Sequence, residues 1–347
     1  MSGRDALAAK CRSMKGRLIT KEQYFALAAK SGIPDAVEYL KSTAAYSGLL
    51  ADVEPTRVHR ARLEQLLERN LLDAFVKLYT FTSGNERKFF GLLIEEFTIN
   101  CLLDAIRATE YDDSMDFYHI PNFINDHSKI DFSRIFRTDS KEEILDALKG
   151  TEYYDTLAPV MNDQASFDDI ESELTRAYYK KAAKKIPELF SGDELADILA
   201  SFHSRVDIIN IAVILRMRRF RTLRGESDST PLELTEVFPR LIPIFGKLRE
   251  SDISSLCAED LSVAETIERF CGIEHRPVEE LDEKTSTGEY GTKMTFARSK
   301  KLAGKSSAAA ALGYLNLLRV ETDNLIYLFE ALRYGLSKER ITERLIV

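Results

Sequence analysis

The chain has 347 residues, enough for about two or three domains, and its 44% hydrophobic and 30% charged residues exclude an intrinsically disordered or fibrous protein. Its 16 glycines and 9 prolines are too few to separate many short strands, so long helices are favoured. The formal net charge of −8 argues against binding of the whole molecule to nucleic acid or to anionic lipid.

Capping boxes mark the predicted starts of several helices. In this pattern a Ser or Thr side chain accepts a hydrogen bond from the amide three residues later, and a Glu or Gln at that position reaches back to the first amide. The pairs are Thr20–Gln23, Ser140–Glu143, Ser191–Glu194 and Ser262–Glu265.

Apolar residues at helical spacing predict long amphipathic helices and an all-α fold, because no run of alternating strand residues is present. The predicted long helices cover about 56–79, 86–110, 168–185, 193–223 and 306–334. Gly335 is predicted to close the last of them in a left-handed conformation, and Ser337 to begin a short final helix. The segment 283–292, which contains Gly288 and Gly291, is predicted to be a mobile loop.

Two internal similarities share a period near 110 residues. The segments 40–49 and 148–157, here called the leucine–lysine segments, have Leu, Lys, Thr, Tyr and a final Leu in common at an offset of 108 residues. The second similarity, here called the arginine repeat, aligns three long helices on Arg107, Arg216 and Arg333. Apolar residues eight, five and one positions before each arginine share one helix face.

Apolar residues at helical spacing are common, so chance is the alternative explanation of the arginine repeat. The agreement of the two periods favours a true repeat. It predicts three helical units, at 1–112, 113–228 and 229–347.

A run of arginines at the end of the fourth long helix is the main candidate site. Its members are Arg216, Arg218, Arg219, Arg221 and Arg224. Such a run is suited to an acidic protein surface or to RNA, but a helix C-terminus also favours solvated cations by about 0.3–1 kcal/mol each. Arg107 and Arg333 lie near helix ends too. With Arg216 they are either dipole-stabilised in the same way or a threefold set of cations that face a common centre.

Catalytic, metal and nucleotide motifs are not recognisable. The five histidines show no HExxH spacing, and the four cysteines are widely spaced, which predicts reduced thiols and no metal site. Gly304-Lys305-Ser306 resembles the end of a phosphate-binding loop, but Ser299 replaces its first glycine and no buried strand precedes it. The sequence therefore predicts an ordinary helix start there, no cofactor and no enzyme activity.

No segment is expected to span a membrane. The longest stretch without Asp, Glu, Lys or Arg is Ser306–Leu318, and its 13 residues fall short of the roughly 18–20 that are needed. Residues 1–17 carry charges and lack the apolar block of a secretory signal. We therefore expect a cytoplasmic location, with any membrane contact made through protein partners.

Both ends and the centre of the chain resemble one family. The matching stretches are Gly16–Tyr24, Tyr39–Thr43 with Tyr46, Asp207–Ile211, Leu312–Leu315, Glu321, Asn324–Leu325, and Leu332–Leu336 with Glu339, Ile341 and Leu345. In order and spacing they resemble the C subunit of the prokaryotic V-type (A/V-type) ATP synthases, which is similar to the d subunit of the eukaryotic vacuolar ATPase.

The resemblance implies a funnel-shaped socket of three helical bundles related by a pseudo-threefold axis. It also implies a non-catalytic central-stalk subunit that couples the rotor axle subunits to the membrane proteolipid ring for proton or sodium transport. Neither a cofactor nor a homo-oligomer is required. The alternatives are a free-standing helical-repeat scaffold that binds an acidic protein or RNA through the Arg216–Arg224 face, and a helical enzyme.

Overall fold

A computed structural model describes residues 3–110, 122–161, 166–223, 231–258, 283–305 and 307–347. These residues form helices joined by turns and short loops, and they contain no strand. The predicted all-α class is therefore confirmed for the described part of the chain.

The chain divides into two compact units. Unit 1 contains Met1–Ser83 and Thr285–Val347, and unit 2 contains Gly84–Lys284. These boundaries follow packing density, whereas the three predicted repeat units follow sequence similarity, so the two divisions do not coincide. The division into three repeats stays a prediction.

The described α-helices are named here in chain order. They are α1 (Gly3–Lys15), α2 (Lys21–Ala28), α3 (Ile33–Lys41), α4 (Arg60–Tyr79), α5 (Gly84–Glu110), α6 (Asn122–Ser128), α7 (Phe132–Ile135), α8 (Lys141–Ala147), α9 (Glu152–Leu157), α10 (Phe167–Leu189), α11 (Gly192–Leu223), α12 (Leu234–Val237), α13 (Glu250–Ala258), α14 (Glu283–Leu302), α15 (Ser307–Arg333) and α16 (Lys338–Arg344). A short 3₁₀ helix, Phe238–Arg240, follows α12.

Unit 1 is built around α15, which is buried along nearly its whole length. Helices α1 and α4 lie against it, with α2 and α3 beside them. Leu40, Tyr46, Leu63 and Phe329 are fully buried in the shared core, and burial of a side chain of this size stabilises the fold by about 1.5–3 kcal/mol. The first eighty residues are thus held against the last long helix.

In unit 2 the long helices α5, α10 and α11 pack in succession. The ring of Phe89 on α5 meets that of Phe190, just after α10, edge to face at 5.4 Å and that of Phe202 on α11 at 6.3 Å. Among the shorter helices, α6 and α8 contact α5, α9 contacts α10, and α13 contacts α11.

The predicted long helices are present as α4, α5, α10, α11 and α15, with ends within four residues of those expected. The left-handed Gly335 is confirmed by its φ of 66°, as is the cap of the final helix by Ser337, whose hydroxyl accepts from Arg340 N–H. Close approach also requires a glycine at 313, because a Cβ there would lie 2.5 Å from Ala303 N.

The capping boxes have mixed outcomes. Both hydrogen bonds of the Thr20–Gln23 box are present, at 3.3 and 2.9 Å. Ser140 accepts from Glu143 N–H as predicted, but the Glu143 carboxylate accepts from Asp139 N–H instead of Ser140 N–H. The Ser191 box stays a prediction, and the Ser262–Glu265 box lies outside the described residues.

The loop predicted at 283–292 is wrong, because this segment is the first half of α14. Gly288 and Gly291 each cost a helix interior about 1 kcal/mol relative to Ala, but the Lys, Met, Ala and Arg residues that follow are good helix formers, and an existing helix extends cooperatively. The same helix, not a strand, precedes Gly304 and Lys305, so the geometry of a phosphate-binding loop is absent there. Ser306 lies outside the described residues.

Among the described helices, α11 alone is long and apolar enough, by length and composition, to cross a membrane, with a mean hydropathy of 1.6 over its best window. Of that window 56% is buried inside the structure, as in the core helix of a globular protein. This segment is not an uncharged stretch of the sequence, because residues such as Asp207 interrupt its apolar run.

Candidate partner interface

The arginine repeat places the same face of three helices in the protein interior. Its buried members are Ile99, Leu102 and Ile106 on α5, Ile211 and Leu215 on α11, and Leu325, Leu328 and Leu332 on α15. Ile208 is half-buried. Each helix therefore turns corresponding positions into a core and carries its arginine, exposed, near its C-terminal end.

The two leucine–lysine segments share a local structure. Thr43 Oγ1 donates to Leu40 O at 2.7 Å, and Thr151 Oγ1 donates to Leu148 O at the same distance. Both leucines are fully buried. The first segment begins in α3, which contacts α15, and the second begins beside α8, which contacts α5.

Arg107 and Arg216 converge on the first turn of α10. The guanidinium carbon of Arg107 lies 4.5 Å from the ring centroid of Phe167, and Arg216 Nη1 lies 3.9 Å from Asp168 Oδ2. Arg107 also pairs with Asp104 at 3.5 Å. Exposed contacts of this kind stabilise by only about 0–1 kcal/mol each. They orient the two guanidinium groups but do not use all of their N–H donors.

The other described arginines of the run either contact neighbouring segments or are exposed. Arg221 donates to Pro231 O at 2.9 Å and pairs with Glu236 at 3.2 Å, and Arg218 lies 3.5 Å from Leu256 O. These two side chains hold neighbouring segments of unit 2. Arg219 is exposed, whereas Arg224 lies outside the described residues.

Two exposed aromatic residues lie beside the candidate arginines, and the sequence analysis missed them. Phe220, 61% exposed, follows Arg219, and Tyr334, 68% exposed, follows Arg333, whose guanidinium carbon is 6.0 Å from its ring centroid. The signal was present in the sequence, because Phe220 lies outside the apolar stripe of α11. Arginine beside an exposed aromatic is the composition that protein interfaces favour.

Arg333 belongs to unit 1, whereas Arg107 and Arg216 belong to unit 2. A threefold set of arginines around a common centre therefore stays a prediction. Within the described residues, no cluster of three His, Cys, Asp or Glu side chains is placed to hold a metal ion.

Buried polar side chains on the long helices hold distant loops in place. Asp207 accepts from Gly246 N–H at 2.8 Å and from Lys247 N–H at 2.7 Å, in a space so tight that a Cβ on residue 246 would lie 2.7 Å from its carboxylate. Asn324 exchanges two hydrogen bonds with the backbone of Ile346 in the same manner. These contacts fix the segments that surround α11 and α15.

One family model matches the chain over nearly its whole length. The model of the ATP synthase (C/AC39) subunit family matches residues 7–344. The chain belongs to this family. The match confirms the resemblance to the C subunit of the A/V-type ATP synthases.

Two proteins named as the C subunit of an A-type ATP synthase are similar to this family member. The one from Archaeoglobus fulgidus is 23% identical over 346 residues, which cover 98% of this chain and 95% of that protein. The one from Thermococcus onnurineus is 25% identical over 257 residues, which cover 74% of this chain and 64% of that protein.

Proposed function

We propose that this protein is a non-catalytic part of the central stalk of a rotary A/V-type ATPase or ATP synthase. In this role it couples the rotor axle subunits to the membrane proteolipid ring during proton or sodium transport. The observation that carries the proposal is the family match, which extends over residues 7–344. The protein works without a cofactor and needs no homo-oligomer.

Three groups of helices support a pseudo-threefold funnel. Helices α1–α4 pack on α15. Helices α6, α8 and α10 pack on α5, with α9 on α10, and α13 with the loop at Gly246 is held by α11. Each group thus has one helix of the arginine repeat at its centre. The long helices have 27, 32 and 27 residues, and close-packed helices of this length resist compression, as a torque-transmitting part requires.

The partner interface that we propose consists of the exposed arginines with their neighbouring aromatics. On unit 2 it contains Arg107, Arg216, Arg219 and Phe220, and on unit 1 it contains Arg333 and Tyr334. Arg218 and Arg221, which the sequence analysis placed in the same interface, contribute indirectly by fixing the end of α11. The partner surface is acidic with apolar side chains, since both features are needed to match arginine beside phenylalanine or tyrosine.

The location that we propose is cytoplasmic and peripheral, with membrane contact only through protein partners. The net charge of −8 supports this, because an anionic protein does not adhere to an anionic leaflet.

Affinity purification from detergent-extracted membranes of the native host tests this function. The tagged chain should copurify with nucleotide-binding subunits, axle subunits and the proteolipid. Deletion of its gene should leave ATP hydrolysis by the catalytic head but abolish ATP-driven ion uptake into membrane vesicles. A chain recovered entirely free of axle and ring subunits would contradict the proposal.

The alternative, a scaffold that binds acidic protein or RNA through the Arg216–Arg224 face, is favoured by the exposure of Arg216 and Arg219. Its cationic surface is smaller than the sequence indicated, because Arg218 and Arg221 donate to groups inside unit 2. Retardation of RNA by the purified chain, weakening steeply with salt, would support the scaffold instead.

A further inference from the structure

Glu321 of α15 connects the last long helix to two N-terminal segments. Its Oε2 accepts from Ile19 N–H at 2.6 Å, and its Oε1 accepts from Tyr46 O–H at 2.7 Å. Only 4% of the residue is exposed. One carboxyl group therefore joins α15, the residue that leads into α2, and the turn that follows α3.

The groups that face this carboxyl group are neutral. They are Tyr24 of α2, Tyr46, and Tyr314 of α15, and burial raises the pKa of each tyrosine above its ordinary range. The charges of Cys11 of α1 and of Arg17 act on Tyr314, whose pKa Cys11 raises and Arg17 lowers.

Charged groups on α15 and α4 interact with other partners. On α15 itself, burial raises the pKa of Asp323, which interacts with Arg319. On α4, Arg60 pairs with Glu64 and with Glu330. Helix α3 presents apolar side chains to the core.

Ionised Glu321 therefore places a negative charge in a buried site, where it makes no ion pair with a described residue. Burial of this kind favours the protonated carboxyl group. Burial raises the pKa of Glu321 from its ordinary value of 4.5 to about 7, although its hydrogen bonds with Tyr46 and Ile19 oppose the shift. A protonated carboxyl still accepts from Ile19 N–H on one oxygen and donates its proton to the Tyr46 hydroxyl oxygen from the other.

We propose that Glu321 is a proton-dependent latch, which holds residues 19–46 against α15 when it is protonated and loosens this contact as the pH rises from mildly acidic values to neutrality. When the latch opens, the carboxyl group becomes solvated and loses its proton. Closure is thus linked to the uptake of one proton. The latch rests on contacts within unit 1 and does not depend on the proposed coupling function.

Amide hydrogen exchange of the full chain tests the latch. The pKa of Glu321 is 4.5 when the carboxyl group is solvated and about 7 when it is buried. This difference predicts that the opening equilibrium constant of the 19–28 segment rises about tenfold from pH 6 to pH 8, after correction for the intrinsic exchange rate. Glu321→Gln, which keeps the shape and hydrogen-bonding capacity of the neutral acid, should abolish this rise. Glu86→Gln, at a buried glutamate in unit 2, should leave it unchanged.

A wild-type opening equilibrium that does not change between pH 6 and pH 8 would overturn the latch, as would an unchanged rise in Glu321→Gln. If that variant does not fold, Tyr46→Phe provides a second test. Loss of the phenol donor removes an interaction that favours the ionised carboxylate, so the midpoint of the opening profile should move to higher pH. A midpoint that stays in place would contradict the assigned geometry.

Discussion

The pair of Glu96 and Arg205 places two opposite charges between α5 and α11 in unit 2. Arg205 donates to both carboxylate oxygens, at 2.7 and 3.3 Å, and the two side chains are only 15% and 28% exposed. Removal of one member leaves the other charged and poorly solvated. We therefore expect Arg205→Ala to lower the free energy of unfolding of unit 2 by about 3 kcal/mol, measured by urea unfolding with circular dichroism.

The exposed pair of Lys185 and Glu188 on α10 is the matched control, because both side chains are about half exposed. Glu188→Gln should leave the urea midpoint unchanged, since water solvates the remaining charge. Equal effects of Arg205→Ala and Glu188→Gln would show that burial does not govern the strength of these ion pairs.

Glu321 also makes the stability of unit 1 depend on pH. Its pKa is raised from 4.5 to about 7 by burial, so the folded state keeps a proton that the unfolded chain loses. Its contribution is complete below pH 4.5 and is lost as the pH rises to about 7, by about 3 kcal/mol in total. Relative to Glu321→Gln, the wild type should therefore lose about this much stability between pH 5 and pH 8 in urea titrations. A constant difference would contradict burial of the carboxyl group.

The arginine run shows why single residues of the interface were only partly predictable. The sequence grouped its members because they are adjacent along the chain. On a helix, however, positions three apart share a face. Arg218 and Arg221 therefore both contact neighbouring segments of unit 2, whereas Arg216 and Arg219 lie on another face with Phe220. The partners of the buried side chains could not be predicted, since Glu321 meets Ile19 across 302 positions of the chain.

At the scale of elements, length decided what the sequence could predict. Helices such as α5 and α15 contain seven or more turns, so their apolar periodicity was visible, and their ends were placed within two residues. Helices of four to seven residues, such as α7 and α8, hold too few turns to show a period. The start of α14 was predicted to be a loop because Gly288 and Gly291 are typical of loops, although good helix formers follow them.

Helix and loop glycines of unit 2 should respond in opposite directions to substitution by alanine. At Gly246 a Cβ would lie 2.7 Å from Asp207 and 2.9 Å from His203, so Gly246→Ala should destabilise unit 2 by about 1–3 kcal/mol. At Gly91, inside α5, nothing lies within 4 Å, so Gly91→Ala should stabilise by about 0.5–1 kcal/mol.

Urea unfolding of both glycine variants measures this contrast in one unit and with one kind of substitution. In a double-mutant cycle, the losses caused by Gly246→Ala and Asp207→Ala should be less than additive, because both substitutions disrupt the same contact between residues 246 and 207. Destabilisation by Gly91→Ala would contradict the open space around that helix position.

At the scale of the whole molecule, the contacts between helices indicate how they are grouped better than their order along the chain does. In each proposed group, the covering helices and the central helix belong to different predicted repeat units. Helices α1–α4 of the first unit cover α15 of the third, and α6 and α8 of the second unit cover α5 of the first. Contact between the first and last segments is what closure of a repeat into a ring requires. The sequence period predicts copies of a unit, but it does not indicate which segment packs on which helix.

The proposed partner interface predicts that charge at Arg219 affects assembly but not folding. Arg219 is exposed beside Phe220, and loss of a hot-spot arginine costs an interface about 2 kcal/mol or more. Arg219→Glu should therefore weaken binding to purified axle subunits at least tenfold, with a smaller salt dependence, while the urea midpoint stays the same. Lys180→Glu, a reversal at another exposed cation of unit 2, is the control and should leave binding unchanged. Equal loss of binding in both variants would point to net charge rather than to this surface.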